Sequence, residues 1–174
     1  MTETRTAPIL LVDLDAMIDL DPWRDLATGK RWLEFFGHIP AAKPRYPELL
    51  DAIELAKADG CIVNYFSRWP EITNYLAREW LDANCFPMFM AWHRRGYAAP
   101  AELLAQQATA AAARFKFRRP VLVIHNDAEI AAEARKSHGI AAVPAAQLPA
   151  TAEGLRRLFT LARPIHNPKK ERVA

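Results

Sequence analysis

The chain has 174 residues, 51% of them hydrophobic and 25% charged, and a formal net charge of +3. That length predicts one domain, residues 1–174, with a full buried core, and the composition excludes a disordered chain. The small basic excess gathers in "KFRRP" at 116–120 and "NPKKERVA" at 167–174; it permits a phosphate-bearing partner without requiring one.

The first element is an apolar run, Ile9 to Val12, that reads as a buried strand delivering Asp13 and Asp15 at its end. Residues 16–46 follow, too long for a simple turn. Trp32, Phe35 and Phe36 fall there at helical spacing, so the segment is expected to hold a short amphipathic helix, either packed on the body of the domain or acting as a small lid over the strand ends. "YPELLDAIELAKADG" predicts a helix from Pro47 to Gly60. "CIVNYFS" at 61–67 is the second strand, and "PEITNYLAREWLDAN" a helix with Ile72, Leu76, Trp80 and Leu81 near one face. "FPMFMA" at 86–91 is a weaker strand candidate. The alanine-rich "APAELLAQQATAAAARF" is a strong helix former. "PVLVIHND" at 120–127 reads as a strand, "DAEIAAEARKSHG" as a helix capped by Gly139, and "GIAAVP" at 139–144 as another weak strand. "TAEGLRRLFTLAR" closes the chain before a basic tail, 165–174, expected to be flexible.

Apolar runs alternating with helical patterns define an α/β protein. The expected architecture is a three-layer, Rossmann-like parallel sheet with helices on both faces and the lid inserted after the first strand. Cys61 and Cys85 form neither a metal spacing nor a disulfide framework, and Cys61 reads as a small buried hydrophobe. "MTETRTAP" is no signal sequence and no run approaches 18 apolar residues, so a soluble, cytoplasmic protein without membrane contact is expected.

In open parallel sheets ligands gather outside the carboxyl ends of the strands. Asp13 with Asp15, Ser67, and Asn126 with Asp127 each close an apolar run, so three strands aim polar groups at one rim. Residues two apart in a strand point to one side, which would let both acids address one substrate.

These residues carry a resemblance. "LLVDLDAMI" resembles the first motif of the haloacid dehalogenase superfamily of phosphatases, an apolar strand ending in Asp-x-Asp. "GCIVNYFSRWPE" looks like its second motif and "PVLVIHND" its fourth. The order "RWLEFF", "AAKPRYPELL", "SRWPE", "REWL" is similar to the phosphatase domain of phage polynucleotide kinase, over roughly residues 8–144. The resemblance implies an Mg²⁺-dependent phosphomonoesterase acting on a nucleotide or a nucleic-acid 3′-phosphate. Its partner would be a phosphorylated small molecule or a nucleic-acid end. Asp13 would be the nucleophile that forms an aspartyl-phosphate, and Asp15 the general acid and base. Mg²⁺ would lie among Asp13, Asp15, Asn126 and Asp127, and Ser67 and Arg68 would hold the phosphate.

The chain also departs from that pattern. Ala16 stands where the family has glycine, and Arg68 follows Ser67 directly instead of after a glycine. The lysine of the third motif is missing from "AAPAELLAQQ"; Arg94 or Arg95 is the candidate replacement, and the alternative for that pair is solvated loop charge. His125-Asn126-Asp127 replaces a pair of acids, and counting to Gly139 favours Asn126-Asp127 at the acid positions. A second expectation therefore stands beside the first: a catalytically degenerate relative that binds a phosphorylated ligand or a protein partner without turnover.

Overall fold

The computed structural model describes residues 8–84, 92–93 (backbone only), 99–149 and 151–165. In chain order the elements are β1 (Ile9–Asp13), α1 (Leu14–Met17), β2 (Ile18–Asp19), α2 (Arg24–Thr28), α3 (Trp32–Gly37) and β3 (Lys43–Pro44). Next come α4 (Pro47–Ala58), β4 (Ile62–Ser67), α5 (Asn74–Ala83), β5 (Trp92–His93), α6 (Pro100–Arg114) and β6 (Pro120–His125). The last are α7 (Ala128–His138), β7 (Ala142–Pro144), α8 (Ala152–Phe159) and β8 (Arg163–Pro164).

The protein is mixed α/β with a mostly parallel central sheet. Its order is β5-β4-β1-β6-β7, with all four neighbouring pairs parallel, and β8 lies antiparallel against the start of β6. β1 sits in the middle because all five of its residues are buried and apolar up to Asp13. The chain winds outward from β1 through β4 to β5, then returns past β1 to build β6 and β7 on the other side. Alternation along the strands feeds two apolar clusters. Leu10, Val12, Tyr65 and Ile124 pack with Leu49 and Ile53 of α4 and with Trp80 and Leu81 of α5. Ile9, Leu11, Phe66 and Val123 pack with Leu104 and Ala108 of α6 and with Ala131 and Ala134 of α7. Each fully buried Leu or Ile here contributes on the order of 1.5–3 kcal/mol.

Local signals set the helix ends. Pro47 and Pro100 open α4 and α6 in their first turns. The Asp127 carboxylate accepts the Glu129 and Ile130 amides at the start of α7, and Gly139, at φ 64°, ends it in the left-handed region. Arg135, Lys136 and His138 occupy the last turn of α7, where the helix dipole favours cations.

Several sequence expectations need correction. Residues 16–46 hold two short helices, two 3-10 turns and a two-stranded antiparallel ribbon, β2 with β3, instead of one helix. The ribbon strands are two residues each, too short for a periodic signal. Arg45 pins the segment by pairing with Asp19 and Asp21, Trp23 stacks on His38 with centroids 4.5 Å apart, and Trp80 donates to the Ala42 carbonyl at 2.8 Å. The strand expected over 120–127 stops at His125, because Asp127 is the cap of α7. β8 was unforeseen: Pro164 carries no donor, and an edge pairing of two residues leaves no pattern. The strand candidate at 86–91, the replacement pair Arg94 and Arg95, and all but residue 165 of the basic tail lie outside the described residues.

Candidate active site

The direction of winding reverses between β1 and β6, and the crevice beyond their carboxyl ends is where such sheets take ligands. A cavity of about 270 Å³ opens there, lined by Asp13, Asp15, Asp21, Arg24, Arg45, Arg68, His125, Asn126 and Asp127 together with Leu20, Phe35 and Ile130. Asp13, Asp15, Arg68, Asn126 and Asp127, all expected from sequence, are thus brought together. Ser67 is not. It is buried beneath the rim, where its Oγ accepts the Trp69 amide at 2.8 Å and shapes the turn that presents Arg68 and Trp69.

The two acids reach the cavity by a route other than strand alternation. β1 ends at Asp13, whose Oδ1 accepts the Asp15 amide at 3.1 Å and so starts the single turn α1. Asp15 therefore belongs to a helical turn, and the chain reversal, not a shared strand face, brings it beside Asp13. Ala16 is fully buried in that turn, with no need for a glycine's backbone freedom.

Asp13 is 3% exposed. Burial, then the neighbouring Asp15 charge, hold its carboxyl well above the ordinary carboxylate range, and the Asp15 backbone, Arg68 and the Asn126 backbone pull it partly back. Burial also raises Asp15, against the hydrogen bond that Trp69 Nε1 donates to its Oδ1 at 2.8 Å. Asp21, outside this pair, is held down to about 2 by Arg45.

His125 is the residue whose role the sequence concealed. Its Nε2 lies 3.1 Å from Asp13 Oδ2. Its Nδ1 receives the Asp127 amide at 2.9 Å, with the Asp127 carbonyl farther away at 3.3 Å. An acceptor Nδ1 puts the proton of the neutral ring on Nε2, so His125 donates to Asp13. Burial pushes the His125 pKa down, which keeps the ring neutral at physiological pH. The only sequence signal for this was its place at the end of β6, opposite the end of β1.

The donor set does not fit a prebuilt Mg²⁺ cage. Among the described residues no group of three or more His, Cys, Asp or Glu side chains converges to hold a metal ion. Asp13 already accepts from the Asp15 amide and His125, and Asp127 Oδ1 caps α7. Asn126 Oδ1 accepts from the Tyr46 hydroxyl at 3.4 Å. The cations of the cavity are instead three arginines. Arg24 and Arg45 are paired with Asp21, whereas Arg68 makes no ion pair with any described residue. Among the described residues Arg68 is thus the cavity cation placed to receive an anion.

A second cavity adjoins the first. It measures about 520 Å³ and is walled by Trp32, Phe35, Phe36, Trp69 and Pro70, with Asp15 and Arg68 at the junction. No described helix is long and apolar enough to cross a membrane. Comparison with known proteins finds no matching family model, no matching curated protein and no matching solved structure.

Proposed function

We propose that the protein is a phosphomonoesterase of the haloacid dehalogenase type, built as a three-layer Rossmann-like domain with residues 16–46 as its lid. The observation that carries this reading is one cavity holding Asp13, Asp15 and Arg68, which has no ion-pair partner among the described residues, at the point where the sheet's winding reverses. Arg68 would bind the phosphate through charge-assisted hydrogen bonds. An oxygen of the Asp13 carboxylate attacks phosphorus, and the bond from phosphorus to the leaving oxygen breaks. That oxygen departs with the electron pair and takes the proton of Asp15. Asp15, now ionised, removes a proton from water. The resulting hydroxide attacks phosphorus, releases inorganic phosphate and restores the Asp13 carboxylate. Burial raises the Asp15 pKa above the ordinary carboxylate value, the direction a general acid requires.

A second reading rests on its own observation. Asp13 is buried, raised in pKa and hydrogen-bonded by His125, and among the described residues no metal-holding cluster of side chains stands beside it. A carboxyl so placed is poorly prepared to attack a phosphate dianion, which favours a protein that binds a phosphorylated ligand without turning it over. Hydrolysis separates the two. Aryl phosphates, nucleotides and 3′-phosphorylated oligonucleotides are offered to wild type and Asp13→Asn, each with and without Mg²⁺. Turnover lost in Asp13→Asn supports the enzyme. Binding of the same compounds without turnover under any condition supports the binder.

A further inference from the structure

The aromatic cavity beside the acidic one has no part in the chemistry above. Its rings form a connected set. Trp32 stacks on Phe36 with centroids 6.2 Å apart and planes 25° from parallel, and Phe36 lies 5.7 Å from Trp69. Trp32 is 51% exposed, so part of its ring stays open to a ligand entering the cavity it walls. The two cavities share Asp15, Phe35 and Arg68. Trp69 belongs to the aromatic wall and also donates to the Asp15 carboxylate at 2.8 Å.

We propose that this groove is the leaving-group subsite, and that it takes the planar aromatic portion of a phosphomonoester whose phosphate lies in the adjoining cavity on Arg68. The inference rests on the phosphomonoester reading of the first cavity. The position of Asp15 decides the direction. The group that protonates the leaving oxygen stands at the junction, so the rest of the leaving group extends from that point. On one side are charges; on the other are four rings and Pro70. A flat π-surface is what such rings bind best, and a volume of about 520 Å³ falls within the range of small-molecule sites. The anion and the ring thus belong to one molecule, held by a cation at one end and by stacking at the other.

Two sources could supply the ring: an aryl group attached directly to the phosphate, or the base of a nucleoside monophosphate. Binding is measured by calorimetry on Asp13→Asn, so that no turnover intervenes, with 1-naphthyl phosphate, adenosine 5′-monophosphate, glycerol 2-phosphate and 1-naphthol. At least one aromatic phosphate should bind ten-fold or more tighter than both glycerol 2-phosphate and 1-naphthol. Whichever of the two binds better identifies the source. In the double variant with Trp32→Ala that preference should fall by roughly five- to a hundred-fold, the size of a base-on-ring stack. Trp32→Leu, which keeps an apolar side chain without a π-face, should fall nearly as far. Equal affinities for the aromatic phosphates and glycerol 2-phosphate overturn the subsite, as does a preference unchanged by both Trp32 variants. Failure of the phosphatase reading looks different: the aromatic phosphates bind with the stated preference, yet wild type does not hydrolyse them.

Discussion

Replacing Asp13 by Asn should make the protein more stable while abolishing turnover. The carboxylate is 3% exposed, and its pKa is raised first by burial and second by Asp15. Its folded value therefore lies above the unfolded one. Between those two values the native state binds more protons than the unfolded chain, so stability falls as pH rises through that window and stays low above it. An amide at this position carries no charge to bury. Its Oδ1 can keep the Asp15 amide, while Nδ2 faces the Nε2–H of His125, whose Nδ1 is held as an acceptor by the Asp127 amide, so the lost hydrogen bond offsets part of the gain. Relief of a strained functional position typically gains about 0.5–2 kcal/mol. For a chain of this size that is roughly a 1–8 °C rise in Tm. Thermal unfolding followed by circular dichroism at pH 7.5 should show the rise, and a series down to pH 4 should show the difference shrinking as wild-type Asp13 becomes protonated. A variant less stable than wild type at pH 7.5, or a difference that ignores pH, would refute the buried-charge argument.

Other perturbations follow from the same geometry. Trp69→Phe removes a hydrogen bond that lowers the Asp15 pKa, so the loss of activity at high pH should move to higher pH, read from a pH–rate profile. Arg68→Ala should weaken the binding of an aryl phosphate by roughly ten- to a hundred-fold with only a small fall in Tm, because the guanidinium has no ion-pair partner among the described residues and offsets the Asp13 and Asp15 charges without direct contact. Asp127→Ala should cost about 0.5–2 kcal/mol in urea unfolding as the cap of α7 is lost, and Asp127→Asn should cost little.

The sheet was legible because its signal is redundant. Four residues of β1 and four of β6 are apolar and buried, and the connecting helices α4, α6 and α7 open on a proline or end at a glycine. Asp13, Asp15, Arg68, Asn126 and Asp127 were legible because a strand end is a fixed place in such a fold. What failed depended on hydrogen bonds that carry no periodicity. Ser67 stood at the right strand end, but its hydroxyl turned inward to the Trp69 amide. The roles of Asn126 and Asp127 were assigned by counting along the chain, whereas the end of β6 puts His125 against Asp13 and gives Asp127 to the helix cap. The rings Trp32, Phe35 and Phe36 were legible as a lid beside the rim, but the cavity they enclose with Trp69 was not, because α3 and the turn after β4 are far apart in sequence. Only the folded chain joins them.

The central claim is that Asp13 becomes phosphorylated. Wild type mixed with an aryl phosphate, with and without Mg²⁺, is quenched in acid within the first turnover, and its peptides are examined by mass spectrometry. The peptide containing Asp13 should carry one acid-stable, alkali-labile phosphoryl group, absent from Asp13→Asn and accumulating in Asp15→Asn if hydrolysis of the intermediate is slowed more than its formation. Hydrolysis that proceeds unchanged in Asp13→Asn, or a bound aryl phosphate that never phosphorylates the peptide, would contradict it.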